Sequence, residues 1–427
     1  MDELKVVVCG PVDAGKSSLI GVLNNGILDD GRGSSRSRVL KHEHELTTGR
    51  TSNITVNTYC YKNENNKLKI DKNGRFVKTL KDMELIKNNR MVNLIDLAGH
   101  EKYLKTTLFG MLAYYPNYGI VVIGANTGVT KLTKEHLGIM LYLNIPFSIV
   151  ITKIDIAPEK IYNNLKKKLT KLLKNVSRDL YFINENGDDK ICDFIKKNNY
   201  ESMIPIISIS NKDGTNIDNF HYLLNNIPVK KQMLEDSIGL VSIDSSYQVP
   251  GIGLVICGSN IGNTFKVKQK CYLGPIGNKF YSVTIRSIHN CLSEDVSESI
   301  NGGYNSFAIK FNNPKESLNR NQIKKGMMLV DNVSIANKMI TKKFRAKVKI
   351  LHHSTMIKDG YSPLIHVGPI RQSARIEVID KEYLKSGDSA ILEFSFMYRP
   401  ELIRIGQTLF FRDGTTKGVG TISEIVN

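Results

Sequence analysis

The chain has 427 residues, enough for two to four domains that each bury a core. Its apolar fraction of 41% and charged fraction of 23% are those of an ordinary globular protein, which excludes a disordered chain. The 59 basic and 41 acidic residues give a formal net charge of +18. Such an excess favours a polyanionic partner, most often nucleic acid, whereas a composition biased toward Lys and Asn would raise the charge without one.

Six cysteines are scattered along the chain: Cys9, Cys60, Cys192, Cys257, Cys271 and Cys291. None forms a C-x-x-C pair or has a histidine at metal-binding spacing, so we predict buried free thiols in a reducing compartment and no structural metal. The N-terminal residues enter an apolar run without a signal peptide, and no apolar run is long enough to cross a bilayer. We therefore expect a soluble, cytoplasmic protein without a membrane partner.

Up to about residue 228, short apolar runs alternate with segments of helical periodicity. The apolar runs are Lys5–Cys9, Ile54–Tyr61, Met91–Ile95, Gly119–Ala125, Phe147–Ile151 and Ile204–Ile209. Apolar strands separated by helices indicate a parallel sheet covered on both faces. Helical periodicity marks Leu132–Leu143 and Ile161–Leu173, whereas Lys62–Asn89 and Ser177–Tyr200 are polar and predict surface insertions.

After a break at Asn225–Pro228, helix signals nearly vanish and short strands recur between Gly-rich turns. This pattern is typical of β-barrels or sandwiches. A second break near Val333–Lys338 divides the region into two β domains. The predicted domains are therefore 1–228, 229–336 and 337–427.

The stretch Gly10–Ser17 has the complete pattern of a phosphate-binding loop, G-x-x-x-x-G-K-S, between an apolar run and a helix-like segment. Gly10 and Gly15 allow backbone N–H groups to face phosphate oxygens, next to the positive end of the helix dipole. We expect Lys16 to reach the β- and γ-phosphates and Ser17 to ligate Mg²⁺. The predicted nucleotide-binding residues of this loop are Gly10, Val12, Asp13, Ala14, Gly15, Lys16, Ser17 and Ser18.

The apolar run Met91–Ile95 ends in Asp96-Leu-Ala-Gly99, followed by His100. An Asp at a strand end is placed to hold Mg²⁺ directly or through water. Gly99 allows a backbone N–H to approach a γ-phosphate closely. After a phosphate-binding loop, this pattern predicts the second half of a nucleoside triphosphate site.

The run Phe147–Ile151 ends in Thr152-Lys153-Ile-Asp155. An ionised Asp only accepts hydrogen bonds, so Asp155 favours guanine, which offers donors at N1 and N2, over adenine. The Lys153 stem is expected to lie over the base. Ser210, Asn211 and Lys212 follow the next apolar run, where backbone N–H groups are expected to meet guanine O6. The predicted ligand is therefore GTP or GDP.

These motifs carry a family resemblance, in the order Gly10–Ser17, Thr51, Asp96–His100, Thr152–Asp155 and Ser210–Lys212. The chain resembles the translational GTPases of the elongation factor Tu and elongation factor 1-alpha superfamily. Further stretches resemble its GTP-binding protein 1 and 2 branch: Leu28–Gly33, His42–Thr51, Asp96–Thr107, Thr133–Leu137, Leu351–Thr355, Gly368–Gln372 and Phe411–Lys417. The resemblance covers nearly the whole chain and implies an α/β P-loop GTPase domain followed by two antiparallel β-barrel domains.

The resemblance also implies roles and partners. Thr51 resembles the threonine that binds Mg²⁺ with Ser17 and Asp96 when GTP is present, and Gly99 the glycine that senses the γ-phosphate. His100 resembles the histidine that positions the attacking water, and Lys16, Thr51 and Gly99 complete the implied catalytic set. The implied protein is a monomeric, Mg²⁺-dependent GTPase, stimulated by a partner and acting with aminoacyl-tRNA or the ribosome in translation or RNA surveillance.

The chain departs from the family pattern at two positions. Thr152 stands where most GTPases have Asn, which weakens one nucleotide contact, and Arg50 replaces an apolar residue near Thr51. The contiguous residues 42–45 predict a solvated loop rather than a metal site. Two other functions stay open: a GTPase subunit of a metabolic complex similar to sulfate-activating enzymes, and a GTP-dependent regulatory module with negligible turnover.

Overall fold

A computed structural model describes residues 3–39, 54–61, 90–183, 191, 194–195, 197, 200–229, 234, 238–414 and 416–426, with the backbone alone at residues 60, 61, 101, 104 and 105. The chain divides into two compact units. One comprises Met1–Met111 with Pro116–Val229, and the other Leu112–Tyr115 with Lys230–Asn427. The further division of the second unit at residues 336 and 337 stays a prediction. The predicted insertion Lys62–Asn89 lies outside the described residues.

The first unit contains a seven-stranded sheet in the order β2-β3-β1-β4-β5-β7-β6. Its strands are β1 Glu3–Cys9, β2 Thr55–Tyr61, β3 Arg90–Asp96, β4 Tyr118–Gly124, β5 Phe147–Thr152, β6 Asp179–Ile183 and β7 Met203–Ser208. All neighbours pair in parallel except β2, which is antiparallel to β3. Every residue of β1, β4 and β5 is buried, as expected for central strands covered on both faces.

Strand β6 corrects the prediction of a surface insertion over Ser177–Tyr200. The apolar, aromatic stretch Leu180–Ile183 pairs in parallel with β7 at the edge of the sheet. The polar residues around it obscure a strand only five residues long. The other six strands of this sheet match the six predicted apolar runs, three of which extend one residue beyond their strand.

Six helices of the described chain accompany this sheet: α1 Lys16–Asn25, α2 Ser34–Ser37, α3 Leu104–Ala113, α4 Lys131–Tyr142, α5 Glu159–Leu173 and α6 Ile217–Asn226. The predicted helices at Leu132–Leu143 and Ile161–Leu173 are confirmed as α4 and α5. Helix α4 begins after Thr130, whose hydroxyl accepts the Thr133 N–H at 3.2 Å. A short 3₁₀ turn, Glu101–Tyr103, precedes α3.

The second unit contains two closed antiparallel six-strand barrels, as the fold prediction expects. The first barrel consists of β8 Gly239–Val249, β9 Gly253–Gly262, β10 Lys270–Ile276, β11 Lys279–His289, β13 Tyr304–Phe311 and β14 Met328–Val330, with the short β12 Asp295–Val296 beside β11. Pairing of β10 with both β11 and β14 closes it. Inward side chains such as Phe265, Phe307 and Ile285 form its core.

The second barrel runs in the order β16-β19-β18-β17-β21-β22. Its strands are β16 Lys343–His352, β17 Leu364–Val367, β18 Ile370–Val378, β19 Ser389–Phe396, β21 Thr408–Asp413 and β22 Thr416–Val426. A separate pair, β15 Ile340–Thr341 and β20 Glu401–Leu402, lies outside the barrel order. The core of the second barrel includes Phe344, Phe394 and Phe411.

The predicted break near Val333–Lys338 is a short helix, α7, over those residues. The Asn332 side chain accepts the N–H groups of Ser334 and Ile335 at 3.0 and 3.2 Å and so caps the helix. No helix among the described residues is both long and apolar enough to span a membrane. Within the same residues, Cys9, Cys257 and Cys271 are buried free thiols, and Cys291 is half-buried.

Candidate nucleotide-binding site

The predicted motifs of the first unit follow neighbouring strands of one sheet. The loop at Gly10 follows β1, Asp96 ends β3, Thr152 ends β5, and Ser210 lies just after β7. Because the carboxyl ends of parallel strands share one edge of a sheet, the order β3-β1-β4-β5-β7 brings these motifs together.

The phosphate-binding loop has a backbone that depends on its glycines. A Cβ at Gly10, whose φ is +150°, would lie 2.3 Å from the Val122 carbonyl oxygen. Gly15, at φ 82°, is the N-cap of α1 and has no side chain to occupy the N–H groups of the first turn. Those N–H groups and the helix dipole are available to an anion.

Lys16 is the buried cation of this loop. Its ammonium group donates to the Pro11 carbonyl oxygen at 2.9 Å, and the residue is 6% exposed. Burial lowers the pKa of Lys16, and the negative charge of Asp96 opposes this effect. Of the other predicted loop residues, Ala14 is buried, Val12 and Ser18 are half-buried and Asp13 is exposed.

Ser17 and Asp96 meet across the sheet edge. The Ser17 hydroxyl donates to Asp96 Oδ2 at 2.8 Å, and Asp96 is 1% exposed. Gly99 packs tightly against the loop, because a Cβ there would lie 2.3 Å from Lys16 Nζ and 2.9 Å from the Gly10 carbonyl oxygen. The Thr107 hydroxyl on α3 donates to the Ala98 carbonyl oxygen at 3.0 Å and holds this turn in place.

His100 is exposed next to Gly99. Its Nδ1 accepts the Lys102 N–H at 3.1 Å, so Nε2 is the ring nitrogen left to contact a ligand. The ring contacts Tyr103 edge-on at a centroid distance of 6.2 Å. Thr51, Arg50 and residues 42–45 lie outside the described residues.

At the other end of the site, Asp155 and Ser210 are in contact. The Ser210 hydroxyl donates to Asp155 Oδ1 at 3.0 Å and accepts the N–H groups of Lys212 and Asp213, both at 3.2 Å. Asp155 is exposed while Ser210 is fully buried. Lys153, between the strand and Asp155, has a positive φ of 59° that turns the chain at this point.

Three features of this site were not predicted. The Thr152 hydroxyl donates to the Ala14 carbonyl oxygen at 2.6 Å and so joins the base-reading motif to the phosphate-binding loop. The Asp29 N–H, in the stretch Leu28–Gly33, donates to the Asn211 carbonyl oxygen at 2.8 Å. His136 on α4 is buried, and burial together with the charge of Lys16 lowers its pKa to about 3. These partners are distant in sequence, and no spacing rule relates them.

The elongation factor Tu GTP-binding domain model matches residues 1–238 of this chain. The chain therefore belongs to the elongation factor Tu family of GTP-binding proteins, which confirms the resemblance. GTP-binding protein 1 of Xenopus laevis is 39% identical over 99% of this chain and 64% of its own length. GTP-binding protein 2 of Homo sapiens is 30% identical over 99% of this chain and 69% of its own length.

Solved structures show the same fold. Bacterial selenocysteine-specific elongation factor EF-Sec superposes with a TM-score of 0.69 at 19% identity, over 99% of this chain and 58% of that one. Translation elongation factor SelB from Methanococcus maripaludis, in complex with the GTP analogue GppNHp, gives a TM-score of 0.66 at 20% identity, over 100% and 80%. The α/β domain and two barrels of this chain thus have the same fold as these two proteins.

Proposed function

We propose that the chain is a GTP-binding and GTP-hydrolysing switch of the elongation-factor type that acts with aminoacyl-tRNA or the ribosome. The observation that carries this proposal is the contact of Lys16, Ser17, Asp96 and Gly99 at one sheet edge. Those groups come from two motifs about eighty residues apart in a chain whose first 238 residues match a GTP-binding domain.

Guanine recognition would fall to Asp155 and the loop after β7. The Asp155 carboxylate accepts hydrogen bonds, and the Ser210 hydroxyl donates to its Oδ1 and so holds the carboxylate in place. The second oxygen of this exposed residue suits the N1 and N2 donors of guanine. Lys153, half-buried beside it, would cover the base with its stem.

The residues present fit Mg²⁺. A hydroxyl and a carboxylate oxygen 2.8 Å apart form a hard-oxygen donor pair of the kind this ion prefers. Ser17 and Asp96 would hold the ion, with Thr51 as a third protein oxygen. When bound, Mg²⁺ neutralises negative charge on the phosphate oxygens.

Hydrolysis joins a water oxygen to the γ-phosphorus and breaks the bond between that phosphorus and the β–γ bridging oxygen. The products are GDP and hydrogen phosphate, which keeps one water proton while the other passes to solvent. Lys16 would exchange its bond to Pro11 for the β- and γ-phosphate oxygens and stabilise their charge. The Gly99 N–H would contact the γ-phosphate. With Nδ1 of His100 already bonded to the Lys102 N–H, its Nε2 would orient the attacking water.

Charge supports an RNA partner. Residues 338–427 contain 15 basic and 9 acidic side chains. Lys347 and Lys349 are exposed on β16, and the residues opposite them on β19 and β22 are uncharged: Ile391, Thr421, Ser389 and Val419. Exposed lysines that face uncharged residues across the strands are available to phosphates.

The activity is tested by GTP turnover with and without ribosomes. We expect ribosomes to stimulate turnover, and His100→Ala to reduce the stimulated rate by about 10²- to 10⁴-fold with unchanged GDP affinity. His352→Ala, at an exposed histidine of the second barrel, serves as the matched control. Full stimulated turnover in His100→Ala would contradict the role of this residue.

The partner is tested by capture of RNA on the chain loaded with a non-hydrolysable GTP analogue. We expect tRNA or rRNA to be enriched over a sample loaded with GDP. Enrichment of neither RNA would exclude the translational role and leave the metabolic or regulatory interpretation.

A further inference from the structure

Two side chains lie together at the floor of the proposed nucleotide site, against Gly15. A Cβ built on Gly15 would be 3.4 Å from Thr152 Oγ1 and 3.5 Å from Asn211 Nδ2. Thr152 is fully buried, and its single hydroxyl hydrogen is donated to the Ala14 carbonyl oxygen. Thr152 therefore anchors the phosphate-binding loop, and its side chain has no N–H group to offer a base.

The neighbouring Asn211 has what Thr152 lacks. It is 8% exposed, and its buried Oδ1 has no hydrogen-bond partner within the part of the chain that the structure describes. Buried amides are nearly always hydrogen-bonded, so one left unsatisfied in a cleft is expected to gain its partner from a ligand. A half-turn about Cβ–Cγ exchanges the oxygen and the amino group, so the amide can present N–H donors to a base edge.

The main chain of Asn211 is held from outside the site. The Asp29 N–H donates to its carbonyl oxygen at 2.8 Å, and the Asp29 carboxylate accepts the Gly31 and Ser35 N–H groups at 3.2 and 2.9 Å. The Leu28 side chain lies close to Gly214 in the same loop. The stretch Leu28–Gly33, to which the proposed function gives no other role, thus supports the point from which the Asn211 side chain emerges.

Guanine has two acceptors, N7 and O6, on the edge opposite its N1 and N2 donors. With N1 and N2 at Asp155, the five-membered ring that carries N7 and the ribose lies nearer to the phosphate-binding loop. Asn211 is adjacent to that loop at Gly15. We infer that the Asn211 amide donates a hydrogen bond to guanine N7 and is a specificity-determining residue of the GTP site, an inference that rests on the proposed function.

The test compares GDP with 7-deaza-GDP, in which a C–H replaces the N7 acceptor. We expect wild-type protein to bind 7-deaza-GDP roughly three- to tenfold more weakly than GDP, which is the range of one hydrogen bond. Asn211→Ala should bind GDP more weakly by a similar factor and no longer distinguish the two ligands. Asn219→Ala, on α6, is the matched control and should discriminate as the wild type does.

A second variant keeps the shape of the side chain. Asn211→Asp presents only acceptors, which repel the N7 lone pair, so it should bind 7-deaza-GDP more tightly than GDP. Equal binding of both ligands by wild type, or wild-type discrimination in both Asn211 variants, would overturn the inference while leaving the GTP site intact. Failure of the wild type to bind GDP at all would instead overturn the proposed function and the inference with it.

Discussion

At the scale of single residues, the sequence predicts the chemical role of a side chain but not its hydrogen-bond partner. The oxygen chemistry of the side chains predicts Ser17 and Asp96 as Mg²⁺ ligands and Asp155 as the acceptor for guanine. The structure adds that the Ser17 hydroxyl is hydrogen-bonded to Asp96. The hydrogen bond from the Thr152 hydroxyl to the Ala14 carbonyl oxygen joins residues 138 positions apart, and neither residue type predicts it. The roles of the site residues, Thr51 among them, stay predictions until they are tested in solution.

Asp155→Asn tests base selection. The amide that replaces the carboxylate offers a donor to guanine N1–H and N2–H, so two charge-assisted bonds are lost. We expect GDP affinity to fall by about 100-fold and xanthosine diphosphate, which has a carbonyl acceptor at C2, to become the better ligand. Competition binding measures both affinities. Asp218→Asn, at an exposed position of α6, should leave them unchanged, and a variant at 155 that keeps wild-type GDP affinity would exclude this role.

At the scale of elements, apolar periodicity predicts helices and central strands, because burial on both faces demands continuous apolar side chains. The edge strand β6 was not predicted in this way, since an edge strand buries fewer apolar side chains than a central strand. Gln372, in a stretch that resembles the family, proves to hold the second barrel. Its Nε2 donates to the Arg399 carbonyl oxygen at 3.1 Å and to Glu401 at 2.9 Å. That residue ties β18 to the turn before β20.

The packing of α6 on β2 predicts a pH dependence. His221 on α6 contacts Tyr59 edge-on at 5.7 Å, and burial lowers its pKa from 6.5 to about 4. Below pH 6.5 the unfolded chain binds a proton here that the folded chain excludes, so the free energy of unfolding falls as the pH falls toward 4. Between pH 7.5 and 5.5 this one residue is expected to lower the free energy of unfolding by about 1 kcal/mol.

Urea unfolding at the two pH values measures this contribution. His221→Phe keeps a ring beside Tyr59 and removes the titration, so its stability should depend less on pH by that amount. His352→Phe, at an exposed ring, should keep the wild-type dependence. An identical pH profile for His221→Phe and the wild type would show that the buried ring is not the cause.

At the scale of the whole molecule, the net charge of +18 predicts binding that weakens with salt. Each phosphate contact to a single strand contributes about −0.7 to the slope of log affinity against log salt. Replacing Lys347 and Lys349 by Gln should therefore make the slope for the captured RNA shallower by about 1.4.

Filter binding from low to physiological salt measures that slope. Lys343→Gln is the matched control on the same strand, because Lys343 lies 3.5 Å from Glu393 and its charge is already paired. A slope unaltered in the Lys347 and Lys349 variant would place the RNA on another surface.

The sequence by itself predicted the chemistry of the motifs, the succession of strands and helices, and the family. Each of these depends on residue types at short spacings. The order and register of the strands could not be predicted, since they are the arrangement that minimises the free energy of the whole folded chain. They alone decide that Ser17 meets Asp96, that Thr152 takes the Ala14 carbonyl, and that Asn211 lies beside Gly15. Hydrogen bonds between distant segments require positions correct to a fraction of an ångström, and only the folded sheet supplies them.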